Sequence, residues 1–304
     1  MQRTTDQARI LLDGGVATEL QRAGIPVTPP WWTTRALLSD QRRQVLKGVH
    51  ERFLTAGADV VTANTFRCNL STLQAAGLED AGLGWMVHAA VGVALAARNA
   101  AGTAGTRVVA SVAPVADAYR PDLVPDDETL RAEHRWLATE LSRAGVDTVL
   151  VETMNTAREA RIALAEALTA GATAWVSFVC GDDARLLSGE PLADAARAVE
   201  ADGAAAVLVN CTDPTRTEEC LRALRPAVSG PIGAYPNMED RDGGGPVDAF
   251  PPLLEPAAFG DLTARWCEEY GLTLVGGCCG TTPAHLAAMS DLVGAGPAPT
   301  AGRR

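Results

Sequence analysis

Short apolar runs rich in β-branched residues alternate along the chain with longer segments rich in Ala, Leu, Arg and Glu. The runs fall at residues 10–15, 60–66, 108–114, 148–154, 173–180, 205–211, 231–237 and 272–277. Their near-continuous apolar character predicts eight parallel strands buried on both faces. The segments 40–56, 126–144, 156–170, 192–201, 215–225, 256–270 and 283–292 have helical length. Several carry start signals: acid at Asp126, Asp127 and Glu128, and Pro214 and Pro283 at early helical positions. Ala-Gly-(Ala/Val)-Asp phrases at 56–59 and 144–147 put a glycine where a helix ends before the next strand, which favours a left-handed cap. Eight such units predict an α/β fold, a closed (β/α)8 TIM barrel ahead of a doubly wound open sheet.

Length agrees with that architecture: 304 residues, 47% of them hydrophobic, exceed the roughly 250 that such a barrel needs. No linker or low-complexity tract divides the chain, so a single domain over 1–304 is expected. Segment 238–256, rich in Gly, Pro and Asp, is longer than an ordinary strand–helix loop and reads either as a mobile lid over the barrel mouth or as a surface loop. With 26 Lys and Arg against 37 Asp and Glu, a net charge of −11, there is no basic stripe to neutralise phosphates, and nucleic acid is not an expected partner. The first residues lack the apolar core of a leader, and no uncharged apolar run is long enough to span a bilayer. No membrane association is expected, the cytoplasm is the expected compartment, and the oligomeric state stays open.

Seven cysteines are an odd number in a chain large enough to fold without covalent staples, which argues against a disulfide framework and for metal binding or catalysis. In a barrel the chemistry gathers at the carboxyl ends of the strands. There the runs end in Asp13-Gly14-Gly15, Asn64-Thr65-Phe66, Glu152-Thr153, Asn210-Cys211, Tyr235-Pro236-Asn237 and Gly276-Gly277-Cys278-Cys279-Gly280. Cys211, Cys278 and Cys279 thus converge on one mouth. Cys68, Cys180, Cys220 and Cys267 read as small hydrophobes.

A catalytic Zn2+ site uses three protein ligands, with Zn–S near about 2.3 Å, and keeps one position open. Gly276, Gly277 and Gly280 free the backbone to turn two adjacent sulfurs inward. Three thiolates make Zn2+ a poor Lewis acid for water but leave a bound sulfur electron-rich, so a thiol in the open position would lose its proton and stay nucleophilic near neutral pH. Alkyl transfer to sulfur fits best. A structural zinc would want a fourth Cys or His, and none of His50, His88, His134 and His285 ends a strand; a redox pair is the other alternative. Asp13 and Glu152 at the same mouth suit the ammonium of an amino acid, and the amides beyond Asp13 its carboxylate. Together these point to an amino-acid thiol.

Leu12-Asp13-Gly14-Gly15 with Thr18-Glu19-Leu20, the stretch Ala56–Val60 leading to Asn64-Thr65-Phe66, Asn210-Cys211, and Gly276-Gly277-Cys278-Cys279-Gly280-Thr281 resemble the homocysteine S-methyltransferase family, over about residues 10–289. The resemblance implies a zinc-bearing (β/α)8 barrel that methylates L-homocysteine to methionine. By position it makes Cys211, Cys278 and Cys279 the zinc ligands, Asp13 and Glu152 the amino-group contacts, and Gly14 and Gly15 the carboxylate-binding amides. Asn237 resembles a residue that takes the fourth zinc position before substrate arrives.

For the donor site the resemblance marks Trp32, Asn64, Phe66 and Arg67. In the betaine-dependent branch an aromatic residue after strand one cages the quaternary ammonium, and Trp32 is similar; alternatively Trp31 and Trp32 cover the barrel edge. That branch carries a tyrosine where this chain has Arg67. A guanidinium beside a fixed trimethylammonium is repulsive, whereas it suits the carboxylate of S-methylmethionine or S-adenosylmethionine, or an anionic folate; the remaining alternative is a surface side chain. The chain is too short for separate folate and cobalamin modules, so a complete cobalamin-dependent methionine synthase is not expected. The implied partners are a small-molecule thiol and a methyl donor, and the implied cofactor is Zn2+. Two alternatives stay open: the same barrel acting on another thiol or selenol, and a zinc- or thiol-binding protein without turnover.

Overall fold

The computed structural model describes residues 9–101, 105–239 and 252–293. Its strands are β1 Ile10–Leu11, β2 Val60–Ala63, β3 Arg107–Val112, β4 Thr148–Met154, β5 Thr173–Phe178, β6 Ala206–Asn210, β7 Ile232–Tyr235 and β8 Leu274–Val275. All pairings are parallel and the order β1-β8-β7-β6-β5-β4-β3-β2 carries the sheet round a nearly closed barrel. The helices are α1 Val16–Arg22, α2 Asp40–Thr55, α3 Leu70–Ala75, α4 Asp80–Ala101, α5 Asp127–Arg143, α6 Ala157–Thr169, α7 Leu192–Ala201, α8 Pro214–Leu224, α9 Pro256–Tyr270 and α10 Pro283–Val293, with a 3-10 stretch at Trp32–Leu37. The single (β/α)8 barrel read from the apolar pattern is the observed fold. Of the segment 238–256, residues 240–251 lie outside the described residues. No described helix is long and apolar enough to cross a membrane.

Local chemistry starts the helices where the sequence marks them. Asp126 accepts the Thr129 N–H, Thr156 that of Glu159, and Asp213 those of Thr215 and Arg216, each satisfying donors that a helix start leaves unpaired. Gly57 and Gly145, at φ +105° and +81°, make the left-handed exits expected of the Ala-Gly phrases. The long α4 was not among the segments read as helical. Its Gly82, Gly84 and Gly92 weaken the propensity signal, yet Leu83, Met86, Val87, Ala90, Val91, Ala94 and Ala97 are buried at helical spacing.

Period-two geometry sorts each strand into two faces. Leu12, Val60, Val109, Leu150, Trp175, Leu208, Tyr235 and Leu274 form one cluster that fills the barrel interior. The opposite face, with Val61, Val149, Val151, Val176, Val207 and Val209, packs under the helices in the outer core. Two residues beyond interior apolar positions stand Thr62, Ser111, Glu152, Ser177 and Asn210, so the top interior layer turns polar on five consecutive strands. That change of character sets the floor of the site.

The seam between β1 and β2 is joined mostly by side chains. Asp59 donates its N–H to the Leu11 carbonyl (2.8 Å) and its carboxylate accepts the Leu11 N–H (2.8 Å). One layer up, Asp13 accepts both the N–H (2.8 Å) and the hydroxyl (2.7 Å) of Thr62.

Candidate active site

The loop after β8 carries two of the three converging cysteines and is knitted to its neighbours on both sides. Gly277 donates its N–H to the Asp13 carbonyl, Cys278 to that of Pro236, and Met238 to that of Cys279. Gly280 donates to the Thr18 hydroxyl (2.9 Å), which donates to Glu239 (2.7 Å). The packing leaves no room for side chains at two glycines. A Cβ on Gly280, whose φ is +78°, would stand 2.8 Å from the Met238–Glu239 backbone, and one on Gly15 would stand 2.7 Å from the Cys278 carbonyl.

Within this frame the Sγ atoms of Cys211, Cys278 and Cys279 all lie within 4.8 Å of one another. Ligand sulfurs around a tetrahedral zinc stand roughly 3.8 Å apart, so the cluster fits a three-thiolate metal site once reduced. Here Cys211 and Cys278 are joined as a disulfide with Cα atoms 5.6 Å apart. The bridge is no stapling framework but sits inside the candidate site, because the proximity that lets two thiolates share a metal also lets them oxidise to each other. Cys68, Cys180, Cys220 and Cys267 are buried thiols away from it, as expected.

A cavity of about 380 Å3 opens beside the sulfurs. Its wall includes Asp13, Gly14, Gly15, Glu152 and the three cysteines, and on the other side Trp32, Asn64, Phe66 and Arg67. Asp13 and Glu152 are both buried. Burial raises the Asp13 carboxyl to about 7, opposed by its bonds from Thr62 and reinforced by the nearby Glu152 charge. Glu152 is raised for the same first reason, opposed by hydrogen bonds from the hydroxyls of Ser111 and Tyr235. Two buried acids held this way in one cavity favour a cationic ligand group.

Beyond Glu152 the backbone turns sharply: Thr153 has φ +59° and Cys211 φ +48°, conformations uncommon for residues with a side chain. Asn210 braces the first. Its carboxamide oxygen accepts the Thr153 N–H (3.0 Å) and the Ser177 hydroxyl (2.7 Å), and its nitrogen donates to the Thr153 hydroxyl (2.8 Å). On the far wall Asn64 donates to the Thr33 carbonyl (2.9 Å), which ties β2 to the 3-10 stretch. Arg67 is no surface side chain. Its guanidinium carbon lies 5.3 Å from the Trp32 ring centre and 5.1 Å from that of Phe66, and an N–H reaches the Ala116 carbonyl (3.1 Å).

Two expected site residues are placed differently. Asn237 is not in the cavity wall; its carboxamide closes a turn, accepting the Glu239 N–H and donating to the Glu239 carbonyl (3.1 Å each). Gly15 is in the wall, but its N–H points to the Thr281 carbonyl (3.3 Å). None of the histidines lines the cavity. The sequence reading missed Thr62, Ser111 and Ser177, the hydroxyls that hold the acids and Asn210, and also Asp117 and Tyr119 beside Arg67 in the cavity wall. The hydroxyls had a signal, the period-two step from an interior valine or tryptophan.

The sequence model of the family described as Homocysteine S-methyltransferase matches residues 10–293. The chain belongs to this family. Homocysteine S-methyltransferase of Escherichia coli (strain K12) is 32% identical over 92% of this chain and 94% of that protein. Selenocysteine Se-methyltransferase of Brassica oleracea var. italica is 28% identical over 92% and 87%. The crystal structure of the Escherichia coli homocysteine methyltransferase MmuM in its metallated form superposes with a TM-score of 0.80 at 30% identity, covering 94% of this chain and 96% of that one. Homocysteine S-methyltransferases are methyl-transferring enzymes, which sets aside the alternative of a binding protein without turnover.

Proposed function

We propose that this member of the family is a zinc-dependent enzyme that moves a methyl group from S-methylmethionine or S-adenosylmethionine to the thiolate of L-homocysteine, giving methionine, and that it serves methionine biosynthesis in the cytoplasm. The observation that carries this is the meeting of three sulfurs within 4.8 Å with two buried carboxyls in the wall of one cavity. The metallated form of the Escherichia coli neighbour supports a metal at such a site. Cys211, Cys278 and Cys279, in their reduced state, are the residues that would hold zinc. A zinc held by them would keep a ligand thiol deprotonated and electron-rich near neutral pH.

The chain's own residues then bind and orient. Asp13 and Glu152 receive the substrate ammonium, whose arrival favours the ionised form of each raised carboxyl. Ser111 and Tyr235 fix the Glu152 oxygens, and Thr62 those of Asp13. The turn at Gly14 and Gly15 lies in the cavity wall and would face the substrate carboxylate, with the Gly15 N–H itself bonded to the Thr281 carbonyl. Holding thiolate and donor methyl in line supplies most of what a displacement at carbon requires. With the histidines off the cavity, no imidazole serves as general base.

Reduced, zinc-loaded protein is given homocysteine with S-methylmethionine, S-adenosylmethionine, betaine or methyltetrahydrofolate, and methionine is measured by mass spectrometry. Product is expected from the sulfonium donors. Cys211→Ser, Cys278→Ser and Cys279→Ser are expected to lose zinc and turnover together; full activity in a zinc-free triple variant overturns the proposal. The selenocysteine-named relative favours a second reading, methylation of a selenol or another thiol. Competition between homocysteine and selenocysteine for one donor separates the two.

A further inference from the structure

The cavity has a second charged end that binding of the thiol substrate leaves unused. The Arg67 guanidinium lies within 5.3 Å of the Trp32 ring centre and 5.1 Å of the Phe66 ring centre, so the two rings that would otherwise meet a cationic ligand already meet the protein's own cation. Burial disfavours the guanidinium charge, and the Asp117 charge beside it works in the opposite sense. Asp117 and Tyr119 line the same cavity, and the Asp117 carboxylate accepts the Tyr119 N–H (2.9 Å), which fixes it at the rim. A planar fork of donors near two rings and an acid beside it match the two charges of an α-amino acid.

We propose that Arg67 and Asp117 form a zwitterion subsite for the methyl donor, Arg67 taking its α-carboxylate and Asp117 its α-ammonium, which makes the donor a sulfonium amino acid rather than a quaternary ammonium. This rests on the function proposed above and deepens it. Charge spacing supplies the discrimination. In betaine one carbon separates carboxylate from the quaternary nitrogen, so pairing with Arg67 brings two cations together, and no separate ammonium remains for Asp117. In S-methylmethionine three carbons separate the carboxylate carbon from the sulfonium, so the head group is held while the methyl group extends towards the sulfurs.

The test compares wild type with Arg67→Gln, Arg67→Lys and Asp117→Asn. The donors are S-methylmethionine, its decarboxylated analogue 3-(dimethylsulfonio)propylamine, its deaminated analogue 4-(dimethylsulfonio)butanoate, and betaine. Arg67→Gln should raise the KM for S-methylmethionine on the order of 10- to 100-fold, the loss of one charge-assisted pair, leave the KM for homocysteine within about threefold, and leave use of the decarboxylated analogue unaffected. Arg67→Lys should recover part of the loss. Asp117→Asn should weaken S-methylmethionine but not the deaminated analogue. The same comparisons by isothermal titration of donor binding need no turnover. If wild type forms no product with any donor, the function proposed above fails while the titrations still decide the subsite. Equal losses for S-methylmethionine and its decarboxylated analogue in Arg67→Gln, or none for either, would overturn it.

Discussion

Asp13 belongs to two structures at once: it closes the β1–β2 seam through Thr62 and it lines the cavity. Its carboxyl is raised from 3.8 to about 7, so the folded state holds a proton that the unfolded chain releases near pH 4. The folded protein therefore loses stability as pH rises from about 4 to about 7, by roughly 4 kcal/mol from this group alone. Urea unfolding of the ligand-free protein at pH 5 and pH 8 should reveal somewhat over half of that loss, and Asp13→Asn should remove most of it while abolishing homocysteine binding. An equal pH slope in wild type and variant would contradict the assignment. Asn210 is the other residue whose role exceeds its size. Asn210→Ala leaves the left-handed Thr153 and the Ser177 hydroxyl without their partner, and should destabilise by about 2–4 kcal/mol. It should also raise the homocysteine KM, because the adjoining Glu152 and Cys211 lose their alignment. Asp13, Glu152 and the cysteines were legible in the sequence because acids and thiols are rare at the ends of apolar runs. Thr62, Ser111 and Ser177 were not, since a hydroxyl inside a strand is ordinary until the parity of its neighbours is known.

At the scale of elements, the apolar runs overshoot the paired strands most where the site is built. Runs 10–15 and 272–277 yield strands of two residues each, β1 and β8. Their remaining residues leave the ladder to bond across loops, as Gly277 does to Asp13. The site thus consumes strand, and propensity alone does not mark where pairing stops. The position of the cysteine loop was legible from its glycines, but the disulfide was not, because parity of a cysteine count says nothing about which thiols meet in space. Gly280→Ala tests the loop itself. It forces a side chain into a left-handed position against the Met238–Glu239 backbone, and should lower stability by about 1–3 kcal/mol and weaken zinc retention in a chelator competition. Unchanged zinc affinity would mean that this loop tolerates displacement.

For the whole molecule the seam is where the ring is thinnest. The structure pairs β1 with β8 over two residues, while β1 meets β2 mostly through the carboxylates of Asp59 and Asp13. Asp59→Ala should leave the Leu11 N–H unpaired, lower stability by about 1–3 kcal/mol, and speed amide hydrogen exchange at Leu11 before other strands respond. Exchange that rises uniformly instead would place the weak point elsewhere. Because one of the two carboxylates bridging this gap also belongs to the ligand cavity, occupancy and ring closure are thermodynamically linked. A thiol substrate at a hundred times its dissociation constant would stabilise the folded state by about 2.7 kcal/mol, and the proposed contact with Asp13 would deliver part of that gain to the seam. The empty enzyme is then a barrel with one loose stave, and substrate is what tightens it, so protection of the Leu11 and Thr62 amides should report saturation as faithfully as product formation does.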